Sequence, residues 1–109
     1  MNIKIFGNNP KLWQWDTGRK LIVEDGGVCN EIHFANAVTE TAVPVPVLEL
    51  DSFRVAEIPD GFLRKAIPLE VYLYQDGENG DQTVSSFTFR VEPRVKPENY
   101  GTTEGVTTP

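Results

Sequence analysis

Leu69-Glu70-Val71-Tyr72-Leu73-Tyr74, the loop Gln75-Asp76-Gly77-Glu78-Asn79-Gly80-Asp81 and the return run Thr83 to Val91 decide the fold. The first run is rich in strand formers. The loop is acidic and carries two glycines, and the return run places Phe87, Phe89 and Val91 on one face of a strand. Two such runs around a glycine-bearing loop read as a β-hairpin. Upstream, Ile3-Lys4-Ile5-Phe6 is a short strand closed by the turn cluster Gly7-Asn8-Asn9-Pro10. Leu12-Trp13-Gln14-Trp15-Asp16 alternates, which predicts a strand with Trp13 and Trp15 on one face and Gln14 and Asp16 on the other. Asp16-Thr17-Gly18-Arg19 then reads as a tight hairpin turn with Gly18 at positive φ, returning through Lys20-Leu21-Ile22-Val23 to a turn at Glu24-Asp25-Gly26-Gly27.

Asn30 to Ala35 alternates again, with Ile32 and Phe34 inward and Glu31 and His33 outward. Val43-Pro44-Val45-Pro46-Val47-Leu48 is rich in strand formers, but its two prolines cannot donate to a ladder. It is an edge strand or an extended connector. Phe53 to Ile58 is a further strand, and Pro59 to Ala66 is the one candidate helix, with Pro59 near its start. The pattern predicts an all-β domain, an antiparallel β-sandwich of about seven or eight short strands with at most one short helix. The sandwich spans residues 1–95, and residues 96–109, poor in apolar side chains, form an extended C-terminal tail or linker.

At 109 residues the chain holds one core, and a globule of this size buries roughly 60–70% of its unfolded surface without metal or disulfide staples. No apolar run is long enough for a transmembrane helix, and Met1 to Phe6 lacks the apolar core of a signal peptide. A net charge of −6, shared by both halves, repels phosphate backbones, and no basic stripe offsets it, so nucleic acid is a poor partner; neither nucleic acid nor membrane is expected as one. Cys29 is the single cysteine, which allows no internal disulfide and fits folding in a reducing cytoplasm.

No catalytic constellation emerges, and the reading is of a protein that is not an enzyme. His33, the only histidine, and Cys29 stand four residues apart, about 13 Å along a strand, too far to be hydrogen-bonded partners. A surface His33 and an inert buried Cys29 are the preferred reading. Asp76, Glu78 and Asp81 share a loop without the spacing or closing glutamate of an EF-hand. They read as a solvated hairpin tip rather than a weak calcium site. Among the sixteen acids nothing singles out a pair for sugar hydrolysis. No cofactor is implied, since Gly26-Gly27 alone is a turn and not a phosphate-cradling loop. Trp13 and Trp15, and equally Tyr72 and Tyr74, fit a core or an interface better than a ligand site. The alternative for the tryptophans is a stacking platform for sugar rings, as in a small carbohydrate-binding module.

The order of the pieces carries a resemblance: Leu12-Trp13-Gln14-Trp15-Asp16, Arg19-Lys20-Leu21, Glu31-Ile32-His33-Phe34, Ile58-Pro59 to Leu63, Tyr72-Leu73-Tyr74, and Arg94-Val95-Lys96-Pro97-Glu98-Asn99-Tyr100 with Thr103-Glu104. Over nearly its whole length the chain resembles the N-terminal β-domain of tail-fibre and baseplate-upper-type proteins of phages and prophages from Firmicutes. The Trp-Gln-Trp-Asp strand and the Lys-Pro-x-x-Tyr element are the strongest anchors. The resemblance implies a virion structural protein, made in the bacterial host cytoplasm and placed in the tail. Its work would be to dock a fibre or baseplate component by protein–protein contacts, as a homo-oligomer with other virion tail or baseplate proteins as partners. Related chains usually continue past the Lys-Pro-x-x-Tyr element into a stalk and a host-binding tip, whereas this one stops soon after it. This is either a short stand-alone version or one domain of a longer protein, and no receptor-binding or catalytic residue is carried over. Candidate interaction residues are Trp13, Trp15, Val45, Val47 and Tyr100. Edge pairing through Val43–Leu48 and the tail from Lys96 are the expected modes, against the alternative that the prolines only guard an edge.

Overall fold

Leu69, Val71 and Leu73 are fully buried, while Glu70, Tyr72 and Tyr74 between them reach solvent. That alternation builds β8 (Leu69–Gln75), which pairs antiparallel with β9 (Gln82–Phe89). The computed structural model describes residues 2–24, 30–75 and 82–98. The readings made above on Asp25 to Gly27, Cys29, the Asp76–Asp81 loop and Tyr100 lie outside them. Upstream are β1 (Asn2–Ile5), β2 (Leu12–Trp13), β3 (Lys20–Glu24), β4 (Glu31–Ala35), β5 (Val43–Pro46), β6 (Leu48–Leu50) and β7 (Phe53–Glu57), and β10 (Val91–Glu92) comes last. The fold is all-β. The ten strands among the described residues exceed the seven or eight expected because the Val43-to-Leu50 run splits at Val47 and a short β10 follows Arg90.

Two antiparallel four-stranded sheets, ordered β1-β3-β7-β6 and β5-β4-β8-β9, enclose the core, and β10 pairs with β2 in a small parallel ladder. Between them Leu12, Leu21, Val23, Ile32, Phe34, Ala56, Ile58, Phe62, Leu63, Leu69, Val71, Leu73 and Val91 form one buried cluster. Phe87 and Phe89 pack against it on the same face as Val91, as expected. The candidate helix is a single 3-10 turn over Asp60–Leu63, entered from Pro59 at φ −59, and it serves to insert Phe62 and Leu63 into the core.

Two expectations fail at the tryptophans. The strand ends at Trp13, because Asp16 N–H donates to the Trp13 carbonyl at 3.1 Å and Trp15 turns at φ +74. That φ belongs to the third position of a type II turn, where glycine or asparagine is usual. Leu12, not Trp13 or Trp15, is therefore the inward residue, and both indoles lie half-buried outside the core cluster. Nor does this stretch form a hairpin with Lys20–Val23. Gly18 does take φ +67, but β2 pairs β10, and β3 sits between β1 and β7.

Backbone bonds just outside the ladders fix which edge groups are free. Val47 N–H donates to the Asn30 carbonyl at 3.1 Å, so the odd residues of β5 turn their polar backbone groups to β4. Pro44 and Pro46 then face the open edge, where their missing donors cost no ladder bond. Carried through the register, the same parity bonds Ser85, Phe87 and Phe89 to β8 and leaves Ser86 and Thr88 facing outward. In the other sheet Phe6 N–H donates to the Lys20 carbonyl at 2.9 Å, so Ile3 and Ile5 face the free edge of β1.

Candidate interaction surface

The first candidate, the tryptophan corner, is held by a dense set of bonds. Trp15 N–H donates to the Leu63 carbonyl at 2.6 Å and Gln14 N–H to the Glu92 carbonyl at 2.7 Å. The Gln14 side chain donates to the Arg64 carbonyl at 2.8 Å and accepts from Arg94 N–H at 3.3 Å. The Asp16 carboxylate accepts from Trp13 N–H at 3.1 Å and pairs with the Arg19 guanidinium, which also donates to the Asn9 carbonyl at 2.7 Å. Lys96 lies 5.4 Å from the Trp15 ring centre, a cation–π distance. These residues tie β2 to the 3-10 turn and to the segment after β10. Trp13 ends the strand and Trp15 stands in the turn at φ +74, so strand alternation does not set the two indoles on one face.

Val45 and Val47 are half-buried against the core cluster, so their side chains point inward. What the segment shows to solvent is different. Among the described residues the exposed large apolar side chains include Val43 at 40%, Leu48 at 57%, Leu50 at 39% and Phe53 at 47%. Val43 belongs to β5 in the other sheet, and the register groups the remaining three on β6 and β7. Leu48 pairs with Val55 and Leu50 with Phe53, so all four share the face of their sheet that turns away from the core cluster. Ile22, paired with Val55, lies on that same face and is nonetheless buried. Phe6, just after β1, and Phe53 of β7 meet edge to face at 6.0 Å. A groove of 290 Å³ borders this face and reaches β5 of the other sheet, lined by Lys20, Val45, Pro46, Leu48, Glu49, Leu50, Val55 and Glu57. Its floor is apolar, and its charged margin holds two carboxylates and one ammonium.

On the outer face of the second sheet His33 stacks on Tyr74 at 4.3 Å and its Nε2 lies 2.8 Å from Glu31 Oε1. His33 is thus outward, as expected. Beside it the Tyr72 hydroxyl donates to Glu70 at 3.0 Å, and ionising it next to that carboxylate is opposed, which raises its pKa. A second depression of 370 Å³ lies between the Asn36–Thr39 turn and the 3-10 turn, with Phe62, Arg64 and Lys65 among its lining residues. Among the described residues no three His, Cys, Asp or Glu side chains gather as a metal site, and no helix is long and apolar enough to cross a membrane.

Sequence reasoning missed Leu50 and Phe53 and took Leu48 only as the end of the Val43–Leu48 edge segment. Their signal is the Leu48-Glu49-Leu50 alternation, joined to Phe53 by a two-residue turn in which Asp51 and Ser52 stand at φ +49 and +73. Positive φ at both central residues marks a type I′ hairpin, whose usual Asn-Gly is absent here. Set against known proteins, the chain matches no family model, and neither a curated protein nor a solved structure matches it.

Proposed function

We propose that this domain is a virion structural protein of a phage or prophage, an attachment module that docks a tail-fibre or baseplate component by protein–protein contacts. The observation that carries the docking half is the outer face of the β1-β3-β7-β6 sheet, where Leu48, Leu50 and Phe53 stand exposed and the two leucines line an apolar groove. Exposed apolar side chains that are contiguous rather than scattered mark contact sites. The virion half rests on the resemblance of the Trp-Gln-Trp-Asp and Lys-Pro-x-x-Tyr elements. Charge selects the partner's chemistry: Glu49 and Glu57 against Lys20 favour apolar side chains flanked by a lysine or arginine. Self-association of the module would multiply individually weak contacts into firm attachment.

The test is titration calorimetry of the domain against the purified products of the genes flanking its own. Leu48→Ser with Phe53→Ser removes exposed anchors without opening the core, so the fold should persist while affinity falls at least tenfold, the loss expected of an interface hot spot. Unchanged affinity would remove this face from the docking role. A complex with no tail or baseplate protein would remove the virion reading.

A further inference from the structure

Four strands end the two sheets, and the sequence treats them unequally. The free edge of β5 offers no donors at Pro44 and Pro46. β6 is three residues long, and its register turns only the polar backbone groups of Glu49 outward, beside a carboxylate. β1 frees Ile3 and Ile5, but a second copy of β1 pairing across that edge would set Lys4 opposite Lys4, a destabilising like-charge pair. β9 is different. It is eight residues long, its sequence from Gln82 to Phe89 contains no charge and no proline, and it pairs on one side only among the described residues. Its one edge defence is the bulge at Val84, where the register to β8 shifts between Leu73 and Tyr74, and the stretch from Ser85 to Phe89 beyond it is regularly paired and carries none.

We infer that β9 pairs antiparallel with β9 of a second copy about a two-fold axis through Phe87, joining two four-stranded sheets into one of eight strands. The hydrogen-bond parity fits this register. Ser86 and Thr88 already turn their N–H and C=O groups outward, so Ser86 meets Thr88 of the second copy in a bonded pair and the exchange repeats on the other side of the axis. Their exposed side chains lie opposite one another on the solvent face, a Ser–Thr cross-strand pair. On the inner face Phe87 falls beside Phe87 of the second copy in the closer, non-bonded pair. That would cover a ring which each core alone leaves half-exposed. No like charges meet between positions 85 and 89, which matters for a chain of net charge −6. The inference deepens the self-association proposed above and rests on that reading for nothing else.

The experiment is sedimentation equilibrium of the full chain up to about 1 mM, a range suited to an interface of one strand pair. The native chain should show a monomer–dimer equilibrium. Ser86→Lys with Thr88→Lys places lysine opposite lysine twice across the axis and should weaken the dimer roughly tenfold or more. Ser86→Lys with Thr88→Glu sets opposite charges at the same two places and should restore it. Both positions are exposed, and circular dichroism is expected to match the native chain in each variant. A native chain that stays monomeric at the highest concentration overturns the inference, and so does a dimer indifferent to the lysine pair or not rescued by the mixed pair. The docking reading is judged separately, because Leu48 and Phe53 belong to the other sheet and their partner titration should be unaltered by these changes.

Discussion

Replacing Leu12 by alanine separates two registers of the Leu12–Asp16 stretch. If the stretch were a regular strand with Trp13 and Trp15 inward, Leu12 would sit on the polar side, and its truncation would change stability by no more than about 0.5 kcal/mol. In the structure the strand ends at Trp13, Leu12 is 0% exposed, and it is paired with Val91 inside the cluster that also holds Leu63. Truncating a fully buried leucine costs the transfer of the lost atoms plus a residual cavity, about 3 kcal/mol. For a domain of this size each 1 kcal/mol moves the melting temperature by roughly 4–8 °C, so Leu12→Ala should lower it by about 12–24 °C. Urea unfolding followed by circular dichroism gives the free energy, and a midpoint shift at unchanged slope shows that stability alone has moved. Acrylamide quenching on the native chain adds a second reading, since both indoles reach solvent and should be quenched. A Leu12→Ala variant as stable as the native chain would refute the packing described here.

Two further outcomes follow from local geometry. Asp16→Ala strips the partner from both the Trp13 N–H and the half-buried Arg19 guanidinium and should cost about 2 kcal/mol, with a coupling near 1 kcal/mol in a double-mutant cycle with Arg19→Met. Additive losses would show that the pair is not formed in solution. Asp51→Asn with Ser52→Gly supplies the residues a type I′ turn favours and should stabilise the fold by about 1 kcal/mol in urea, whereas a loss would mean that the β6–β7 turn has another geometry.

What was legible in the sequence follows the strength of its two-residue period. Ile32 and Phe34 in β4, and Phe87 and Phe89 in β9, fall inward as the alternation says, because one face of that sheet meets the core and the other meets water. Leu21-Ile22-Val23 is buried throughout, Leu21 and Val23 in the core and Ile22 on the opposite face, so a solid apolar run gives no sign of which side turns outward. The apolar groove was hidden for that reason and one more. The β6–β7 hairpin turns on Asp51 and Ser52, and the tryptophan corner turns on Trp15. All three positive-φ positions lack the glycine that would have marked them. The prolines of β5 could be read as edge residues, but only the register shows that both point outward and that Val45 and Val47 point in.

Methyl nuclear magnetic resonance tests the docking claim most directly, with the domain titrated by each tail or baseplate protein encoded beside it. One of them should shift or broaden the methyl signals of Leu48, Leu50 and Val55, which line the exposed groove, and leave those of Ile32 and Leu73, buried in the other sheet, in place. Binding that perturbs any other face while the Leu48, Leu50 and Val55 methyls stay still would contradict it.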